Sequence, residues 1–271
     1  MRSLRNTRTY LAILLLSGWW ISGPAWADIQ WVQLPLKGGE TVRGAFGTVA
    51  GGKQPAVIFN HGTGVRHLGH DGAVAKDNMD VRDYVKALNG MGYNAIAPIR
   101  DHLGDTAYVA RGSTVGSTDD WVSVVEYGVR VSTAAREFLS ARAEVDPSRI
   151  AIMGFSEGGN VTLWSAIRQR NYRVVVLLSP ASLRDAGEYS LRQAARRGNL
   201  SAIDVPVFLA VGEDDKRPIR KITQRRLIPN LQALGKTLVQ RNDYPGGHDW
   251  FYRPRDALMK DVRRFLAEHL K

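Results

Sequence analysis

Residues 150–160 read Ile-Ala-Ile-Met-Gly-Phe-Ser-Glu-Gly-Gly-Asn, an apolar run that breaks into a glycine-flanked serine and then into a helical pattern. Four consecutive apolar residues (Ile150 to Met153) have the length and composition of a buried strand. A strand, a sharp turn and a helix in that order place Ser156 at the apex of the turn. Side chains at positions 154 and 158 would collide with the strand and helix there, which explains the glycines. The serine itself must accept strained backbone angles.

Working outward, the chain of 271 residues is 44% hydrophobic and 23% charged, which suits one globular α/β domain rather than a disordered or fibrous chain. Residues 1–27 stand apart. Arg2, Arg5 and Arg8 precede a short apolar core at 11–21, and Ala25-Trp26-Ala27 offers a small-x-small cleavage site before Asp28. This is the pattern of a secretory signal peptide; the apolar core falls well short of the ~20 residues that span a bilayer. The expectation is a mature domain of residues 28–271, periplasmic or secreted, with no stable membrane insertion. There is no cysteine, so neither a disulfide nor a thiolate nucleophile is available. The net charge is +11, and setting aside the three signal arginines leaves +8. Part of that excess clusters at 184–197 and 216–226. These residues fall on helical patterns without interleaved aromatics, so a solvated helix face is expected and a nucleic-acid partner is not.

In chain order, strands are expected at 29–36, 41–48, 56–59, 94–98, 174–178 and 207–211 in addition to the one at 150–153. Helical periodicity marks 81–91, a long stretch around 124–139, and a terminal helix carrying Leu258, Met259, Val262, Phe265 and Leu266. Residues 100–118 form a long polar loop, and residues 181–203 a basic, partly helical segment. The alternation implies a mostly parallel sheet covered on both faces. His61, His67 and His70, with Asp71, raise the question of a metal. No further ligands stand at a recognised spacing, so neither metal nor cofactor is expected.

The Gly-x-Ser-x-Gly turn after a strand resembles the nucleophile elbow of the α/β-hydrolase superfamily. The resemblance spans nearly the whole mature chain and is closest to the dienelactone hydrolase family, whose members are single-domain and nearly lidless. It implies Ser156 as nucleophile. Asn60-His61-Gly62-Thr63-Gly64 resembles the family's oxyanion-hole segment, implying that the backbone N–H groups of Thr63 and Glu157 hold an oxyanion. Family members carry the acid after the strand at 207–211, commonly as Gly-x-x-Asp, which implies Asp215; Asp214 and Glu213 compete with it. His248, in a glycine-rich loop downstream, completes the order Ser156, Asp215, His248. Dienelactone hydrolases proper use a cysteine nucleophile, so this chain departs from them and a general carboxylic-ester hydrolase is the expected activity. A peptidase or amidase of the prolyl-oligopeptidase type is the alternative, and a binding protein that has lost catalysis is a third.

Overall fold

The computed structural model describes residues 28–75, 78–100 and 118–271. The expected signal peptide and nearly all of the polar loop lie outside these residues.

Eight strands form one sheet: β1 (Gln30–Pro35), β2 (Thr41–Gly47), β3 (Gln54–Asn60), β4 (Asn94–Pro98), β5 (Val145–Phe155), β6 (Val174–Leu178), β7 (Val207–Gly212) and β8 (Leu238–Tyr244). Their spatial order is β1-β2-β4-β3-β5-β6-β7-β8. The β1–β2 and β2–β4 pairs are antiparallel, and the other five pairs are parallel. The helices between them are α1 (Thr63–Ala73), α2 (Val81–Asn89), α3 (Thr118–Ser140), α4 (Glu157–Arg168), α5 (Arg217–Ile222), α6 (Ile228–Ala233) and α7 (Asp256–His269), with short helical turns across residues 187–200.

The central strands are apolar without interruption because the sheet has no wet face. Side chains alternate along a strand, and the two sets enter two separate cores. Ile58, Ile150, Ile152, Val175, Leu177 and Leu209 pack beneath α3 and α4. Val57, Phe59, Ala151, Met153, Val176 and Phe208 pack on the opposite face with α2 and α7. Buried parallel strands read as continuous hydrophobic runs for this reason.

Local chemistry sets the element ends. The Asp80 side chain accepts a 3.0 Å hydrogen bond from the Arg82 N–H and so caps α2. Within β5 the Asp146-Pro147-Ser148-Arg149 turn is looped out, since Gln54 pairs with Val145 and Ala56 next pairs with Ile150. Two elements depart from expectation. Residues 63–73 are helical, in two pieces joined at Gly69 (φ 61°), a helix absent from the expected elements. Strand β8 carries no continuous apolar run, because it is a half-exposed edge strand. Among the described residues no helix is long and apolar enough to cross a membrane.

Ile152 is fully buried on β5 between β3 and β6. Ile152→Ala is expected to lower the unfolding free energy by about 2–5 kcal/mol. A shift of the urea midpoint to lower concentration, at unchanged slope, measures it.

Candidate active site

The carboxyl ends of the parallel strands point the same way, and the polar residues of interest cluster there, as ligand sites do in open α/β sheets. Ser156 follows β5, His61 follows β3, Arg100 follows β4, and Ser179 follows β6. Asp215 follows β7, and His248 follows β8.

Ser156 has φ 56° and ψ −119°, a conformation that costs a non-glycine residue about 1–3 kcal/mol. Its neighbours enforce it. A Cβ on Gly154 would come within 2.2 Å of the Gly158 carbonyl oxygen, and one on Gly158 within 2.1 Å of the Asn60 carbonyl oxygen. Real Cβ atoms do not approach so closely, so only glycine fits at either place. The Ser156 N–H donates to the Leu178 carbonyl at 3.0 Å, and its own carbonyl accepts from Asn160 and Ala181 at 3.1 and 2.7 Å. The turn is thereby tied to α4 and to the chain beyond β6.

Ser156 Oγ lies 2.7 Å from His248 Nε2, and His248 Nδ1 lies 3.0 Å from Asp215 Oδ1. Asp215 is buried, whereas Glu213 and Asp214 are exposed on the same turn. The Asp214 N–H donates to the Gly246 carbonyl at 3.1 Å, which holds the acidic turn against the histidine loop. Burial pushes the Asp215 carboxyl up. Hydrogen bonds from His248 and Ser179, the His248 charge and the Lys216 N–H outweigh it and leave the group below its usual value. From the other side, the fully buried Tyr84 on α2 donates its hydroxyl to the Phe251 carbonyl at 2.6 Å, fixing the segment after His248.

Ser179 was not singled out by the sequence. Its hydroxyl donates to Asp215 Oδ2 and stands 2.8 Å from His248 Nδ1, so it bridges acid and imidazole. Like Ser156 it has positive φ, 44°. A non-glycine residue in strained backbone directly after a strand is its only signal, and that becomes visible only in three dimensions.

Thr63 and Glu157 are the first residues of α1 and α4, so their N–H groups have no acceptor within their own helices. The preceding Gly62 sits so near that a Cβ there would stand 3.4 Å from Ser156 Cβ. Thr63 lines a cleft with Ser156 and His248.

Beneath these helix starts the Glu157 carboxylate is completely buried. Arg66 Nε approaches Glu157 Oε2 at 2.9 Å, and Arg100 Nη2 approaches Glu157 Oε1 at 3.6 Å. Burial alone would raise the Glu157 pKa, but the charges of Arg66 and Arg100, with hydrogen bonds from Arg66 and Thr63, bring it below its ordinary value. Burial lowers the Arg100 guanidinium to about 10, still charged at neutral pH. His61, also fully buried, accepts a 2.8 Å hydrogen bond at Nε2 from the Arg100 N–H, and its Nδ1 lies 2.9 Å from the Gly62 carbonyl. These partners assign the neutral tautomer with hydrogen on Nδ1. Burial, then Arg100, hold its pKa well below the ordinary histidine value. His61 thus braces the Gly62 loop. Among the described residues no three His, Cys, Asp or Glu side chains converge on a metal site.

Because the His61 pKa is lowered on folding, the unfolded chain binds the extra proton. Stability is full above the unfolded value near 6.5 and falls as pH drops below it, by up to about 1.4 kcal/mol per pH unit. Urea midpoints measured from pH 7 to pH 5 should fall in the wild type and fall less steeply in His61→Gln.

Comparison with known proteins bears on the fold. Residues 131–186, from within α3 through β5 and α4 to just beyond β6, match the prolyl oligopeptidase family. An uncharacterized protein of Mycobacterium tuberculosis is 26% identical over 236 residues, spanning 82% of this chain and 73% of the relative. Among solved structures, an acetyl xylan esterase from a Paenibacillus species superposes with a TM-score of 0.59 at 18% identity, covering 90% of this chain and 88% of the other. A dienelactone hydrolase-like promiscuous phosphotriesterase from metagenomic libraries gives 0.61 at 16% identity, covering 89% and 98%. The strand order, the serine turn after β5 and these superpositions identify the fold as that of the α/β-hydrolases.

Proposed function

We propose that the protein is a serine hydrolase that cleaves carboxylic esters through an acyl-enzyme. The observation that carries this reading is the hydrogen-bonded line from Ser156 Oγ through the His248 ring to Asp215, on a serine held in strained backbone. His248 Nε2 takes the Ser156 proton as Oγ attacks the ester carbonyl carbon. Asp215, helped by Ser179, keeps the imidazole in the Nδ1–H tautomer and stabilises the imidazolium. The N–H groups of Thr63 and Glu157 receive the oxyanion, where the positive ends of two helices add to their effect. His248 then protonates the leaving alkoxide. Water, deprotonated by the same imidazole, attacks the acyl-serine and releases the acid. The scheme runs on the chain's own groups.

Beside Ser156 a cavity of about 90 Å³ is lined by Val65, Met79, Phe155 and Tyr252 among others. It holds only a handful of water-sized groups, which suits a short acyl chain. A second reading, cleavage of an amide or peptide by the same groups, is favoured by the match of residues 131–186 to the prolyl oligopeptidase family. The leader pattern at residues 1–27 supports export to the periplasm or beyond.

A fluorophosphonate probe is expected to label Ser156, with labelling lost in Ser156→Ala and strongly reduced in His248→Ala. Asp215→Asn should lower kcat by about 10⁴-fold through the wrong imidazole tautomer. A folded wild type that resists the probe would sink the catalytic reading in favour of a binding protein. Faster turnover of peptide anilides than of p-nitrophenyl esters would select the peptidase. For export, N-terminal sequencing of protein from a periplasmic fraction should begin at Asp28.

A further inference from the structure

The two basic stretches are solvent-exposed, as expected, and they also confront each other. Residues of the 181–203 segment form one wall, and α5 with the π-helical turn Thr223–Leu227 forms the other, of a cavity of about 860 Å³. Arg184, Arg192, Arg217, Lys221, Arg225 and Arg226 line it, and no carboxylate or aromatic ring does. Among the described residues none of these six side chains makes an ion pair or a hydrogen bond. Arg217, Lys221 and Arg225 are spaced by four, so they stack on one helical face, where like charges destabilise a helix. Two of the cations sit on a π-turn, a rare element often found at functional sites. Six uncompensated cations around a concavity of small-molecule size are a site made for anions.

The cavity is continuous with the chemistry. Ser182, Arg184 and Pro218 line both it and the cleft of about 510 Å³ that contains Ser156 and His248. The small cavity shares Thr63, Ser156, Lys216 and His248 with that cleft, so an ester whose acyl group sat in the small cavity would extend its alcohol half through the cleft towards the arginines.

Resting on the ester reading above, we propose that the substrate is a small polyanionic ester. Its acyl group is short, and its alcohol half carries several carboxylate, phosphate or sulfate groups that seat among the six cations. A nucleic acid fits less well, because the lining offers no ring on which a base would stack.

The test compares 8-acetoxypyrene-1,3,6-trisulfonate with neutral 1-acetoxypyrene. In the wild type, kcat/KM for the trisulfonate should exceed that for the neutral ester by at least tenfold at low salt, with the ratio shrinking as NaCl rises. Arg192→Gln/Arg225→Gln/Arg226→Gln should cut the ratio at least tenfold. Lys37→Gln/Arg173→Gln/Lys260→Gln, an equal charge change at exposed positions away from the cavity, should preserve it. Equal rates on the two esters, or a ratio that survives the arginine substitutions, overturns the proposal. Binding separates this outcome from failure of the ester reading. Fluorescence anisotropy of 8-hydroxypyrene-1,3,6-trisulfonate on Ser156→Ala protein should report a Kd at least tenfold weaker in the arginine triple background. Such binding without turnover of either ester keeps the anion site and removes the ester chemistry. Absence of binding removes the site whatever the enzyme hydrolyses.

Discussion

The Glu157 carboxylate, completely buried one residue after the serine, is the constraint on which the site depends. An uncompensated charge there would cost several kcal/mol, so the chain brings Arg66 from α1 and Arg100 from beyond β4 to meet it. The effect is structural as well as electrostatic. Glu157 begins α4, Arg66 lies in the first turn of α1, and Arg100 also donates to the His61 carbonyl. One ion cluster therefore clamps the ends of β3, β4 and β5 together under the serine. Two guanidiniums face one carboxylate, while His61 is held neutral by the same burial. Arg100 is only partly satisfied. Its Nε and Nη1 have no hydrogen-bond partner among the described residues, and burial lowers its pKa to about 10.

That clamp makes the backbone strain at Ser156 sustainable. A positive φ at a serine persists only where the surroundings over-determine it. Here Gly154 lies against the Gly158 backbone, Gly158 against Asn60 and His61, and Gly159 against Pro180. Asn60 adds a further tie, donating to Thr162 Oγ1 at 3.0 Å and accepting from Ser132 Oγ at 3.1 Å, so that β3, α3 and α4 share one buried polar contact. The apex has no room to relax in any direction without breaking a contact with a different element.

What could be read from the sequence follows from this geometry. Ser156 was legible because the steric demand of its turn falls on glycines two residues away, and His248 because its loop is glycine-rich and follows the acidic turn. The buried strands were legible as unbroken apolar runs. Strand β8 was not, since a half-exposed edge strand (Leu-Val-Gln-Arg-Asn-Asp-Tyr) carries little periodic signal. Helix α1 was hidden by the glycine at its kink. The burial of Arg66 and Arg100 was not legible, because their shared partner Glu157 is 91 and 57 positions away in the chain. The two basic stretches are exposed as expected, but that they share a cavity was hidden for a related reason. Each alone resembles a solvated face, and only the fold sets one opposite the other.

The positive charge near Ser156 thus comes in two sets that act differently on the proposed reading. Those around the large cavity are solvent-exposed, so salt screens them over about 8–10 Å. They interact with anionic groups that carry the same charge before, during and after the reaction. Such uniform binding lowers KM without accelerating chemistry. The Arg66–Glu157–Arg100 cluster is dry and ties together the N-termini of α1 and α4. On the proposed reading it positions the two N–H groups that meet the carbonyl oxygen as it becomes negative in the transition state, so its contribution belongs to kcat. On that reading, placing the exposed cations on α5, the π-helical turn and the 181–203 segment, and the buried ones beneath the sheet ends, would let one chain tune substrate capture and transition-state stabilisation separately.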